Sequence, residues 1–297
     1  MGKKRASSKI ESQSVIIRAA RSGDAEVCGR ICFEAFRTNA AKHNFPREFP
    51  TPEAAIDILS KMFSNPSFFC VVAEQREKIL GSNCLDERNP IAGVGPLSVD
   101  PGAQNRGVGR QLMQASLARA EKRKFVGTRL LIEAYHNRTL ALYAKLGFVV
   151  REPLACVQGP AIQKTPRGYR ARPAQPDDLT ACNQLCVQVH GYDRGGELSD
   201  AIRDGTAVVA EFEGRITAYA SSVGYYGHTV GYEDRDVQAL IATAAEFRGM
   251  GIIVPTRRAE LFRWCLESGL RVMQPLALMT IGHYKEPTGA YLPSIMC

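Results

Sequence analysis

The sequence predicts an α/β protein made of two tandem units, each a mixed, mostly antiparallel sheet flanked by helices. Three observations predict it. At 297 residues the chain is longer than one typical compact domain and gives each of two units enough residues for its own core. In the first half, short alternating or apolar runs suited to strands interleave with helical patterns, and a meander of strands precedes the first crossover helix. The third observation is that the chain repeats itself. Arg18-Ala19-Ala20, Asp24, Cys28, Ile31 and Cys32 return 154 residues later as Arg172-Pro173-Ala174, Asp178, Cys182, Leu185 and Cys186. Val71-Val72-Ala73-Glu74 returns as Val208-Val209-Ala210-Glu211, and Leu131-Ile132 with Leu140 and Tyr143 as Ile252-Ile253 with Leu261 and Trp264. Three matches in one order imply a duplicated and diverged unit.

Taken in order, the first unit reads as strand 15–20, helix 23–37 behind an acidic cap, helix 52–63, and strands 68–74, 78–86 and 92–99. Helix 107–123, strand 128–134, helix 137–145 and strand 147–152 follow. Gly, Pro, Lys and Thr cluster over 159–168, which reads as the linker. The expected organisation is a disordered basic tail over 1–12, a first domain over 13–160 and a second over 161–297, ending in a strand near Tyr291.

The net charge is +8, and it is uneven. Residues 1–160 carry 24 Lys and Arg against 15 Asp and Glu, a net +9, whereas residues 161–297 carry 14 against 15. Basic residues of the tail supply part of the excess, and no basic stripe is interleaved with aromatics, so nucleic acid is not the expected partner. No apolar run is long enough to span a bilayer and the N-terminus has no signal-like stretch, so a cytoplasmic, non-membrane protein is expected. The nine cysteines lack C-x-x-C spacing and read as buried reduced thiols, with no metal site expected.

Chemistry concentrates at Val94 to Met113. A strand, Leu97-Ser98-Val99, leads through Asp100-Pro101 into Gln104-Asn105-Arg106-Gly107-Val108-Gly109-Arg110, where a helix opens. Backbone N–H groups at such a junction lack intrahelical partners, and with the helix dipole they attract an anion. Gly107 and Gly109 leave room for a phosphate, and Arg106 and Arg110 add charge. Gln104-x-x-Gly107-x-Gly109 resembles the pyrophosphate loop, Q/R-x-x-G-x-G/A, of the GNAT N-acetyltransferase superfamily. Glu133-Ala134-Tyr135-His136-Asn137 and Leu142-Tyr143-x-x-Leu146-Gly147-Phe148 resemble its fifth strand, fourth helix and helix ending. The resemblance covers about residues 15–152.

That resemblance implies an acetyl-CoA-dependent N-acetyltransferase. The backbone of Leu97, Ser98 and Val99 would pair with the pantetheine arm. Gln104 and the loop Asn105, Arg106, Gly107, Val108, Gly109 and Arg110 would hold the pyrophosphate. Asn137 would bond near the arm or thioester, and Tyr143 would lie beside the sulfur and return a proton to the leaving thiolate. Glu133 is the first choice of base. His136, His43 and the pair Asp86-Glu87 are alternatives, each equally explained as solvated or turn residues. The acceptor, a small-molecule or peptide amine, stays open, as do a monomer or homodimer and a non-catalytic acyl-CoA-binding role.

The second half departs from the pattern. Carried over at constant spacing, Gln104 meets Tyr225, Gly107 meets His228, Asn137 meets Arg258 and Tyr143 meets Trp264. The second domain is therefore expected to be degenerate, with the aromatic loop 225–232 a candidate wall for the first domain's acceptor pocket.

Overall fold

The computed structural model describes residues 14–296; the tail expected over 1–12 lies outside them. The first half runs β1 (Ile16–Ala19), α1 (Ala25–Lys42), α2 (Pro52–Ser64), β2 (Phe68–Gln75), β3 (Lys78–Asp86), β4 (Ile91–Val94), β5 (Ser98–Val99), α3 (Val108–Lys122), β6 (Gly127–Glu133), α4 (Asn137–Lys145) and β7 (Val149–Gln158). The second runs β8 (Tyr169–Pro173), α5 (Leu179–His190), α6 (Gly195–Arg203), β9 (Val208–Phe212), β10 (Arg215–Ala220), β11 (Thr229–Gly231), α7 (Asp234–Ile241), β12 (Ile252–Pro255), α8 (Ala259–Glu267), β13 (Arg271–Gly282) and β14 (Ala290–Leu292).

Most elements follow from local rules. Thr51 caps α2 by accepting from the Ala54 amide, with Pro52 at the first helical position. In α1, Ala25, Cys28, Ile31, Cys32 and Ala35 recur at helical spacing and are buried. Where α1 crosses α2, a Cβ on Gly29 would come within 2.5 Å of the Ile56 Cα, so only glycine permits that approach. Two sequence expectations change. The strand expected over 92–99 is two, β4 and β5, interrupted at Gly95-Pro96, where proline cannot donate to a ladder. β7 extends to Gln158, past the expected end at 152, because partners flank it on both sides.

The larger sheet has the order β1-β2-β3-β4-β6-β13-β7-β12, with β5 on β3; the smaller is β14-β11-β10-β9-β8. Among the described residues only β4 and β6 pair in parallel, over Ile91–Gly93 and Gly127–Arg129, and every other ladder is antiparallel. The halves exchange their long late strands. β13 pairs with β6 of the first half (Leu276 opposite Glu133), and β7 pairs with β12 of the second (Ala155 opposite Val254).

The repeat has a structural cause. Arg18 pairs with Asp24 at 2.7 Å and Glu74 at 2.8 Å, and Arg172 pairs with Asp178 at 2.6 Å and Glu211 at 2.8 Å. Each aspartate also accepts a backbone amide, from Arg21 and Gln175, which fixes the turn into α1 and α5. Six cysteines are buried and free, as expected; Cys70 and Cys84, directly opposite on β2 and β3 with Cα atoms 4.1 Å apart, instead form a disulfide.

Candidate active site

β4 and β6 stay paired only to Gly93 and Arg129. Beyond that point β5 follows β3 while β6 follows β13, so the sheet opens between them. A cavity of about 830 Å³ occupies this opening. Gly95, Pro96 and Leu97 line it where the chain leaves the β4 ladder, and Val99 lines it further on.

One end of the cavity meets the N-terminus of α3. Gly107 caps that helix with φ +82°, a left-handed conformation that costs a side-chain-bearing residue strain. The Gln111 amide donates to the Gly107 carbonyl, leaving the amides of Val108, Gly109 and Arg110 without intrahelical partners. No acidic residue lies in the first turn of α3. The Gln104 side chain donates to the Val99 carbonyl at 3.2 Å and ties the loop to β5. Arg138 donates to the Asn105 side chain, joining the loop to α4. Gln104, Asn105, Gly107, Val108, Gly109 and Arg110 all line the cavity. Ser98, whose side chain is buried near Ser82, and the exposed Arg106 do not line it.

Away from α3 the cavity is lined by Glu133 from the end of β6 and by Asn137 and Tyr143 from α4. Tyr143 is buried and packs against Phe148 at 5.8 Å. His136 caps α4, and its ring lies 3.2 Å from the Thr139 hydroxyl. Burial first, then the charges of His43, Arg138 and Lys42, push the His136 imidazole down to about 4, so it is neutral at pH 7.

At the far end the structure adds a residue that sequence reasoning missed. Glu48, in the connection between α1 and α2, lines the same cavity as Glu133. Burial, reinforced by the Glu133 charge and opposed by the Tyr225 hydroxyl, holds the Glu48 carboxyl well above the usual range. Burial also raises Glu133. Two such carboxyls share protons rather than both ionising freely. His43 lines the cavity, with its ring 5.2 Å from Tyr135. Asp86 and Glu87 do not line it; they hold Arg88 at 2.5 Å and Arg119 at 2.6 Å. The second half contributes Tyr226, Ile295 and Met296 to the wall. The Ile295 amide donates to the Tyr225 carbonyl and Ser294 Oγ to the Tyr226 carbonyl, which seats this segment.

The corresponding place in the second half is built differently, and constant spacing misplaced it. Gly81 opposite Val99 corresponds to Ala218 opposite Gly231. From Val99 the chain passes through the long loop 100–107 before α3, whereas from Gly231 only Tyr232 and Glu233 precede α7. Tyr225 and His228, the expected counterparts of Gln104 and Gly107, instead lie before β11 and are fully buried. In the first turn of α7, Asp236 accepts the Glu233 amide at 2.7 Å and Asp234 pairs with Arg258 at 2.5 Å. α4 and α8 match from their caps, His136 and Arg258, to Gly147 and Gly269, with φ of +98° and +94°. Tyr143 therefore corresponds to buried Cys265, not Trp264, and Asn137 to Ala259. The opening beside β11 is taken by β14, which pairs with it over Ala290–Leu292.

One α/β frame is thus present twice, and in the first copy a helix terminus with unpaired amides faces an open cleft. Residues 34–148 match the acetyltransferase (GNAT) family. Over 63 residues the chain is 40% identical to a mycothiol acetyltransferase of Nocardia farcinica, a match spanning 21% of either protein. Across nearly the whole length the fold is similar to that of a Pyrococcus horikoshii protein assigned as an acetyltransferase (TM-score 0.74, 20% identity, 97% of this chain and 96% of that one). It is also similar to a tandem GNAT protein from the clavulanic acid biosynthesis pathway (TM-score 0.56, 15% identity, 91% and 98%). Among the described residues no helix is long and apolar enough to cross a membrane.

Proposed function

We propose that the protein is an N-acetyltransferase that moves an acetyl group from acetyl-CoA to an amine, with its single active site in the first half, about residues 13–160. The observation that carries this reading is the opening between β5 and β6, which leads from the bare N-terminal amides of α3 to a carboxylate end. The α3 terminus fits a pyrophosphate: unpaired amides, two glycines, no acid in the first turn and Arg110 beside it. Arg106 is a rim charge and Ser98 serves through its backbone. The strand edge at Leu97 to Val99 suits an extended arm that hydrogen-bonds to backbone. Asn137 stands where it would meet that arm.

In this reading Glu133 takes the proton of the incoming amine, directly or through water, with Glu48 coupled to it. A base whose proton affinity is raised above that of ordinary glutamate is better matched to an ammonium at neutral pH. A backbone amide near Leu97 stabilises the oxyanion. Tyr143 donates its proton to the departing thiolate. His136, held neutral, serves as the cap of α4 rather than as the base. The second domain, about residues 161–297, supplies wall and sheet but no cofactor site.

Calorimetric titration with acetyl-CoA tests this. One site per chain, followed by CoA release in the presence of an amine, is expected. Two sites would overturn the assignment of the second half. Binding without turnover of any amine would leave an acyl-CoA-binding protein.

A further inference from the structure

The far end of the cavity differs in character from the α3 end. Phe36, Phe49, Ile58 and Met296 belong to one packed apolar cluster, and Tyr226 and Ile295 close the wall from the second half. Glu48 and Glu133 are set into this apolar surround. Among the described residues no lysine or arginine makes an ion pair with either carboxylate. The fully buried Tyr225 lies with its hydroxyl close enough to act on Glu48. Lys42, Arg110, Arg138 and Lys145 also line the cavity, without an ion pair to Glu48 or Glu133. Lys42, His43 and Arg138 act on His136, and Arg138 also bonds Asn105.

We propose, resting on the acetyl-transfer reading, that this end accepts a small primary amine on an apolar stem that carries no carboxylate beside the nitrogen. Two carboxylates without a cation in a water-poor wall cost free energy unless a positive group joins them. A pair holding one proton carries one negative charge, which a single ammonium balances. An α-amino acid brings a second anion to the same place, where, among the described residues, no guanidinium or ammonium of the protein pairs with the carboxylates. The apolar cluster then takes the stem, whose transfer from water supplies the rest of the affinity.

The comparison that tests this uses hexylamine and 2-aminoheptanoic acid, which differ only by the α-carboxylate. Binding of each to the full chain is measured calorimetrically, with and without saturating CoA. Hexylamine is expected to bind at least tenfold more tightly, and Glu48→Gln is expected to shrink that ratio. Should Glu48→Gln fail to fold, Glu133→Gln serves, with circular dichroism as the check. Equal binding, tighter binding of the amino acid, or no binding of hexylamine in either state would overturn the inference. Acetyl-CoA binding is read separately. Hexylamine bound with no acetyl-CoA bound would sink the acetyl-transfer reading and leave the pocket chemistry standing; the reverse result would do the opposite.

Discussion

The two halves share an ancestor's frame and differ at one helix terminus. In both, an Arg-Asp-Glu constellation pins the first strand to the first helix. At α3, eight residues of loop deliver three free amides to a cleft; at α7, two residues lead into a first turn that carries Asp234 and Asp236, with the Glu233 side chain accepting the Asp236 amide. A carboxylate at a helix N-terminus contributes roughly 0.3–1 kcal/mol of stability. The same charge about 4 Å from a phosphate opposes it by about 1 kcal/mol in water and about 4 kcal/mol in a partly buried site. The second half thus gains a little stability from an arrangement that repels a pyrophosphate. Its cleft is meanwhile filled by β14, which takes the backbone positions a ligand would need. Under the proposed function, one short loop and one acidic cap are what set the second half apart, with the frame left intact.

The largest expected effect comes from reversing this difference. Gly107→Glu places a carboxylate at the α3 terminus and a side chain at φ +82°. It should weaken acetyl-CoA binding more than 100-fold by calorimetry, with the fold retained by circular dichroism. Glu233→Gly should leave one site per chain; a second site would break the comparison. Next comes α4 against α8. Tyr143→Phe should lower kcat roughly 10- to 100-fold, with acetyl-CoA affinity nearly unchanged, as loss of a general acid would. Cys265→Ala, at the matching position, should leave kcat alone and cost about 1 kcal/mol of stability in chemical denaturation. If both substitutions affect only stability, Tyr143 is a packing residue. The smallest effect concerns pH. Because Glu48 and Glu133 are raised and the base works deprotonated, kcat/KM should climb with pH through an apparent pKa above the usual glutamate value of about 4.3. Glu48→Gln removes the like charge, so that limb should move to lower pH.

Much of this was legible in the sequence because it rests on short-range rules. Gln104-x-x-Gly107-x-Gly109 announced a turn into a helix, and α4 begins and ends where Asn137 and Lys145 predicted. The Arg18 and Arg172 matches were visible because the same three side chains hold each other in both halves. What stayed hidden depends on distant chain segments. Glu48 meets Glu133 across 85 positions, and only its place five residues after His43, between Pro46 and Phe49, hinted at a buried carboxyl. The short loop before α7 was invisible to an alignment made at constant spacing, since two residues there replace eight. Tyr226 was anticipated as part of an aromatic loop, but Ile295 and Met296 reach the cavity only because β14 directs them there.

The exchange of β7 and β13 ties the proposed active site to the timing of synthesis. β6 ends at Glu133, and the partner opposite it, Leu276, is made 143 residues later. At about 5–20 residues per second, a ribosome takes roughly 7–30 s to cover that interval. Until then the strand that presents Glu133 has an uncovered edge, and the nascent first half must be shielded from pairing with other chains.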